Sequence, residues 1–324
     1  MGIITTVIPV FNGEKYIAQT LDSLARQTRK ADRVIIVDDC STDRTEEIVR
    51  NFAGLNCEWM HNPKNLGLFG NHNSALRFAA ETRFFHILHA NDLVAPTFFE
   101  KLVPLIENSS GFAMAYCGHQ FIREDGSATN QKSCISGSVP RRIGLGNFLA
   151  SQTELKAVQL HSVVMRTDNQ PSPIEFRLDL PQLGDVVFHA QFAAHCKGIW
   201  VHPDIMSLVR IHTDSATSRN ISKLNSWVLD EWKAMQLVYE IMKDSGVAGW
   251  GRASKLRLLF AARCHVKIES IIATHPAYAR EIRAAVEPLT GQGTWIAARA
   301  IVALRNKFFP KPNQMSDRLS QKKS

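Results

Sequence analysis

The first hundred residues alternate between short apolar runs and amphipathic stretches, and this alternation restricts the fold more than any other feature of the chain. Ile3 to Val10 is rich in β-branched residues and reads as a buried strand, stopped by Pro9 and by the Asn12-Gly13 turn signal. From Glu14 to Gln27 the apolar residues Tyr16, Ile17, Leu21 and Leu24 recur at helical spacing, so one face is set to pack on a sheet. The spacing then predicts a strand over Arg33–Asp38, a helix over Thr45–Phe52, a strand over Cys57–His61 and a helix over Asn71–Thr82. Phe84 to Leu88 is too short for a helix and too apolar for an exposed edge, so it reads as a fourth buried strand. Pro96 then opens a helix over Thr97–Ile106. The order β-α-β-α-β-α-β predicts an α/β fold with a doubly wound, mostly parallel sheet and right-handed crossovers.

Two of these strands end in polar clusters. Arg33–Asp38 runs into Asp38-Asp39-Cys40-Ser41-Thr42-Asp43, and Phe84–Leu88 turns abruptly into His89, Asn91 and Asp92. Capping and turn formation account for any single Asp or Asn of this kind. Two such ends on one sheet edge point to a site, because ligands of open α/β sheets bind beyond the carboxyl ends of the strands. A dinucleotide site would need G-x-G-x-x-G after the first strand, where Pro9 to Tyr16 offers only Gly13, and no G-x-x-x-x-G-K-[ST] occurs. An anion would therefore be held without a glycine cradle, for instance by a metal on carboxylates.

With 324 residues, 45% of them hydrophobic, the chain can bury one large domain and an appendage. Its formal charge of +8 favours anionic partners: nucleic acid, a phosphorylated small molecule or an anionic membrane surface. Nucleic acid has only the charge in its favour, since no aromatic-basic recognition module is present. The six cysteines are scattered without a C-x-x-C pair, which argues against zinc and against a dense disulfide framework. Met1 to Val10 lacks a basic leader, and no stretch approaches the ~18 apolar residues of a membrane span. The expectation is a cytoplasmic chain, with a peripheral place on the inner face of a membrane as the alternative.

The ordered set Thr5-Thr-Val-Ile-Pro-Val-Phe-Asn12, Ile35-Ile-Val-Asp-Asp-Cys-Ser-Thr-Asp43 and Asn65-Leu-Gly67 resembles the inverting glycosyltransferases of family 2. Those enzymes have the GT-A fold, use nucleotide-diphospho-sugars, and commonly read V-I-P-x-Y-N, V-D-D-G-S-x-D, N-x-G and L-D-x-D-D. The resemblance implies that Pro9, Asn12 and Glu14 lie near the nucleotide and that Asp39 faces the base, most often uracil. The family's D-x-D-D reads His89-Ala90-Asn91-Asp92 here, and its A-R-N reads Asn71-His72-Asn73, which puts His72 where a cation near the diphosphate is common. For Mn²⁺ or Mg²⁺, Asp92 supplies the one carboxylate, with the Asn91 oxygen or the His89 imidazole as weaker substitutes.

Downstream, Phe112–His119 and Leu160–Arg166 read as strands, Glu124-Asp-Gly126 as a turn and Gly126–Gly146 as a Ser- and Gly-rich loop. Asp185 opens a helical stretch containing Val186, Val187, Ala190, Phe192 and Ala193, where it would serve as a cap. The family carries its general base in an E-D pair at the matching place, so the resemblance implies that Asp185 is the catalytic base, with Gly184 replacing the first acid and Asp179 in reserve. Ile199–Val201 and Met206–Ile211 read as two strands leading into Arg210-Ile-His212. The family's R-x-H-x-x-S at that place implies that Arg210 neutralises phosphate and His212 ligates the metal. His161, His189 and His195 receive no role.

From about Ser222 the composition shifts to amphipathic helices, Leu224–Met242 and Ala253–Ile272, with a third at Thr294–Phe309 where Arg299, Arg305 and Lys307 mix with Trp295, Ile296 and Phe308. That third helix could lie in a membrane interface, and residues 311–324 read as a basic disordered tail. The expected domains are thus residues 1–220, with the donor half near 1–110, and a helical extension over 221–310. The function implied is sugar transfer to a saccharide or lipid-linked acceptor in cell-surface polysaccharide or glycolipid synthesis. The alternative is a nucleotide-sugar-binding or scaffold protein without catalysis.

Overall fold

The computed structural model describes residues 3–133, 135–155, 158–212, 223–249 and 251–308. It divides into two compact units, Met1–Gln152 with Lys156–Arg219, and Thr153–Leu155 with Asn220–Ser324.

In the first unit the expected alternation is present: β1 Ile4–Val10, α1 Ile17–Ala25, β2 Arg33–Asp38, α2 Thr45–Arg50, β3 Cys57–His61, α3 Leu68–Leu76 and β4 Phe84–Ile87. α3 begins three residues before the expected Asn71, and a 3₁₀ turn over Arg77–Glu81 completes that stretch. There follow β5 Leu93–Val94, α4 Phe98–Ile106, β6 Ala113–Ile122, β7 Ala128–Ser133, β8 Arg141–Ile143, α5 Leu145–Thr153, β9 Val163–Arg166, α6 Gly184–His195 and β10 Gly198–Arg210. All pair into one sheet of order β3-β2-β1-β4-β9-β6-β10-β5, with β7 on β6 and β8 on β10. The half from β3 to β4 is parallel, β9 enters antiparallel between β4 and β6, and β6 and β10 run parallel again.

β1 does not stop at Pro9 but runs through it to Val10. Ile3 and Val7 turn their carbonyls toward β4, accepting from Phe84 and Leu88. Pro9 faces the same side, two residues past the last of these bonds, so its missing N–H deprives no neighbour. The core lies between the sheet and its helices, with Ile4, Ile8, Leu21, Leu24, Phe98, Phe99 and Leu102 at most 1% exposed. Each such side chain contributes about 1.5–3 kcal/mol through burial.

Two expectations are corrected. The loop expected over Gly126–Gly146 contains β7 and β8. β7, Ala-Thr-Asn-Gln-Lys-Ser, has no apolar face to signal a strand; the ladder from β6 and Gln120 Nε2, donating to the carbonyls of Thr129 and Gln131, hold it. The two strands expected at Ile199–Val201 and Met206–Ile211 are the single β10, whose pairing with β6 shifts between His202 and Ile205 and again before Ser207. Pro203, which lacks a donor, sits in the first shift, as proline in a central strand must.

The second unit has a π-helical turn at Asn225–Leu229, then α7 Asp230–Asp244, α8 Arg252–Ile271, α9 Pro276–Thr290 and α10 Gln292–Phe308. α9 was not anticipated, although Pro276 in its first turn and Gly291 just beyond its end mark both termini. Met235, Phe260, Cys264, Ile282, Val286 and Trp295 form this unit's core. Residues 311–324, expected as a basic tail, lie outside the described residues.

Candidate active site

The carboxyl ends of β1, β2 and β4 open onto a polar crevice. Asp39, 1% exposed, is committed to the loop opposite: Oδ1 accepts from Asn62 Nδ2 and the Leu66 N–H, and Oδ2 from the Gly67 N–H, all at 2.9 Å. The Asn65-Leu-Gly67 turn is therefore folded onto the carboxylate, and Gly67, with φ of 75°, supplies the left-handed backbone the turn needs. Asn71, also buried, donates to the carbonyls of Val10 and Val37 and ties α3 to two strand ends. Asn12 adopts φ of 50° and accepts from the Thr42 N–H at 2.8 Å, while Glu14 accepts from the Arg44 N–H at 3.1 Å. These contacts shape one wall of the crevice. Beside them Phe11 is 53% exposed, an aromatic face that the sequence reading left without a role.

At the end of β4, Asp92 is buried. Its Oδ1 accepts the Arg210 N–H at 2.6 Å, and its Oδ2 lies 3.1 Å from both His89 Nδ1 and His161 Nδ1. Burial by itself would raise the Asp92 pKa, but His161, His89 and the Arg210 N–H together hold it below the usual carboxylate range. Thr20 Oγ1 lies 3.0 Å from the carbonyls of Ala90 and Asp92, pinning the turn to α1.

His72 donates from Nδ1 to the Leu68 carbonyl at 2.7 Å, and burial, with repulsion from His89, pushes its pKa down to about 3. It is thus neutral at physiological pH and cannot replace an arginine as a cation. Arg210 is buried, and its guanidinium is spent on protein acceptors: the carbonyls of Asn91, Arg123 and Glu124 and Gln19 Oε1, at 2.7–3.2 Å, with the Tyr16 ring 4.7 Å away. These bonds engage four of the five guanidinium N–H donors and fix its orientation. His212 Nε2 accepts from Asn91 Nδ2 at 2.8 Å, and its ring lies 5.2 Å from that of Tyr16.

The resemblance paired Asp92 with His212 as metal ligands. Among the described residues, the group compact enough for an ion is instead His89, Asp92 and His161, whose ligand atoms all lie within 4.8 Å of one another. The structure thus brings Asp92 together with His89 and His161, and places His212 on Asn91. Two imidazoles and a carboxylate are a chemically sound donor set for a divalent ion.

α6 delivers Asp185 to the same mouth. Phe69 stacks on Phe176, with ring centres 5.3 Å apart, and Phe176 stacks on Phe188 at 3.9 Å. A Cβ at Gly184 would sit 2.6 Å from the Phe69 ring, so this stack occupies the space beside Gly184. In these apolar surroundings burial pushes the Asp185 carboxyl up to about 6, against a bond from the Val186 N–H and the attraction of His89 that both lower it. Asp179 is about half exposed and gripped at both oxygens by Arg177 at 2.7 and 2.9 Å.

Residues 5–166 match the family model described as Glycosyl transferase family 2. The chain is 27% identical over 124 residues to an uncharacterized glycosyltransferase of Rickettsia typhi, and covers 37% of that protein's length. It is 33% identical over 93 residues to the poly(ribitol-phosphate) beta-N-acetylglucosaminyltransferase TarS of Staphylococcus aureus, of which it covers 16%. The crystal structure of S. aureus TarS 1–349 in complex with UDP-GlcNAc superposes with a TM-score of 0.60 at 20% identity, over 91% of this chain and 79% of that one. A complex of the same protein with UDP gives 0.54 at 19% identity, over 94% of this chain and 91% of that one. The likeness is one of fold, that of a GT-A-like structure, and among the described residues no helix is long and apolar enough to cross a membrane. The family match spans half of the chain and covers the strand ends that build the crevice, and this chain belongs to glycosyl transferase family 2.

Proposed function

We propose that the chain transfers a sugar from a UDP-linked donor to an acceptor hydroxyl with inversion, using Asp185 as general base. The observation that carries this reading is the Asp185 carboxyl itself, at the start of α6 beside the aromatic stack on Gly184, where burial raises its pKa to about 6. A base of that strength is ionised at neutral pH yet basic enough to draw a proton from a hydroxyl as the bond to the anomeric carbon forms. Asp179 is exposed, and both its oxygens are already bonded by Arg177. The crevice of Asn12, Asp39 and the Asn65-Leu-Gly67 turn is the proposed nucleotide site, where the exposed Phe11 ring offers a stacking face for the base. A divalent ion, when bound beside the diphosphate, supplies positive charge to the leaving group; His89, Asp92 and His161 are the residues placed to hold it. Acceptors of the lipid-linked or saccharide type fit the family.

The outer face of α10 supports a membrane-bound acceptor. Ile296, Ile301 and Leu304 are 48–60% exposed on it, beside the exposed Arg299, and Gln292–Phe308 contains no acidic residue. An apolar stripe with only positive charge matches an anionic bilayer surface, into which the helix would settle flat.

A second reading, a nucleotide-sugar binder without catalysis, draws on the replaced carboxylates at His89 and Asn91. Turnover separates the two. Thermal stabilisation by a panel of nucleotide-sugars should single out UDP-linked donors, and release of UDP from the stabilising donor should follow. Stabilisation without release would establish the binder, and stabilisation by a different nucleotide would overturn the UDP assignment.

A further inference from the structure

We propose that His89 Nδ1, Asp92 Oδ2 and His161 Nδ1 form a resident metal site of two imidazoles and one carboxylate, which binds a transition-metal ion without nucleotide and discriminates against Mg²⁺. The site is independent of whether Asp185 is the base.

Strand pairing and a short turn create the juxtaposition. β4 and β9 pair Phe84 with Arg166, Phe85 with Met165 and His86 with Val164. The ladder ends at His86 and Val164, and the 3₁₀ turn Leu160–Ser162 just before β9 carries the His161 ring to that of His89. Their ring centres are 5.4 Å apart, and Asp92, three residues beyond His89, closes the triangle.

Hydrogen bonding accounts for only part of this arrangement. His89 Nδ1 bonds Asp92 Oδ2 at 3.1 Å. His161 Nδ1 lies as near to the same oxygen but is not aligned with it for a hydrogen bond, and neither ring nitrogen of this fully buried residue has a hydrogen-bond partner. A buried polar atom left without a partner is costly, and a metal ion would satisfy Nδ1 directly. The spacing suits one: ligands at ~2.0–2.2 Å from an ion and at right angles to each other lie roughly 3 Å apart.

The donor set decides which ion. Mg²⁺ prefers oxygen and keeps its waters, whereas imidazole suits zinc, copper and other transition ions of the first row. Three ligands from the chain also remove the need for a diphosphate oxygen to complete a minimal site. His89 is the accessible member, with 31% of its side chain exposed, and marks the side from which an ion enters.

The test uses the full chain, freed of metal with EDTA and titrated by calorimetry with MnCl₂, CoCl₂, ZnCl₂ or MgCl₂ in the absence of nucleotide. One equivalent of Co²⁺ or Zn²⁺ should bind, Mn²⁺ more weakly, and Mg²⁺ at least about 100-fold more weakly than Co²⁺. Visible absorption of the Co²⁺ form should show imidazole ligation. His161→Ala should weaken Co²⁺ binding by about tenfold to a hundredfold or more and alter that spectrum, and His212→Ala should leave both unchanged. If His161→Ala does not fold, His89→Ala, at a partly exposed position, is read in its place. Absence of binding without nucleotide, Mg²⁺ binding as tight as that of Co²⁺, or loss of the ion in His212→Ala but not in His161→Ala would overturn the assignment. Since no donor is added, failure here leaves the transfer reading standing, and the converse also holds.

Discussion

Replacing Asp185 by Asn should make the protein a worse enzyme and a more stable one. The folded state moves this carboxyl from 3.8 to about 6, and at 1.36 kcal/mol per pKa unit the shift corresponds to about 3 kcal/mol. Asp185 is only partly shielded from solvent, and screening brings the expected figure to about 1–3 kcal/mol. The sign follows from the direction. A carboxyl whose folded pKa is raised disfavours the folded state once ionised, so the penalty is absent below the unfolded pKa of 3.8, grows toward 6 and is complete above it. Asn is never charged and escapes it. Asp185→Asn should therefore raise the melting temperature at about pH 8 by roughly 2–12 °C, taking ~2–4 °C per kcal/mol, and the gain should vanish near pH 4. The same substitution should lower kcat by about 10²–10⁴-fold. Wild-type turnover should rise with pH through a midpoint near 6 and level off above it, and the residual rate of the variant should lack that limb. Calorimetric melts at both pH values and UDP release across the range are the assays. A variant destabilised at pH 8, or one keeping most of its kcat or the same acid limb, would refute the reasoning and turn attention to Asp179.

Asp39→Ala leaves Asn62 Nδ2 and the N–H groups of Leu66 and Gly67 without their acceptor; urea unfolding should show a loss of about 2–4 kcal/mol, with UDP affinity falling alongside, and a loss under about 0.5 kcal/mol would mean that the carboxylate does not hold the turn. The α10 face is tested by flotation with anionic liposomes at low and high salt. Ile296→Asn with Leu304→Asn should reduce the bound fraction, and equal flotation of variant and wild type would make the helix an ordinary surface.

The donor half of the fold was legible because β1, β2 and β4 are buried on both faces and α1 and α4 on one, so apolar spacing locates them. β7 was not, because a strand held by a backbone ladder and by Gln120 leaves no apolar pattern. The bulged course of β10 looked like two strands because Pro203 and Asp204 read as a break. In the site, the strand-end positions of Asp39, Asn91 and Asp92 and the helix-start position of Asp185 were readable from their residue types and order. What those groups touch was not. His161 looked like a lone histidine before an apolar run, and it reaches Asp92 only because β9 pairs with β4 and a 3₁₀ turn precedes it. Whether the Arg210 guanidinium is free or committed likewise depends on carbonyls of residues 91, 123 and 124, which sequence order does not bring together.

None of the acceptors around the Arg210 guanidinium carries a formal charge: three are main-chain carbonyls and one is the Gln19 amide oxygen. The cation is immobilised but not neutralised by these bonds, so it acts on the crevice as a fixed source of positive potential. A source of this kind needs no rearrangement when an anion arrives, and because it is buried, dissolved salt screens it far less than it screens a surface lysine. The pull of this crevice on an anion would then persist at ionic strengths that silence the rest of the chain's positive charge.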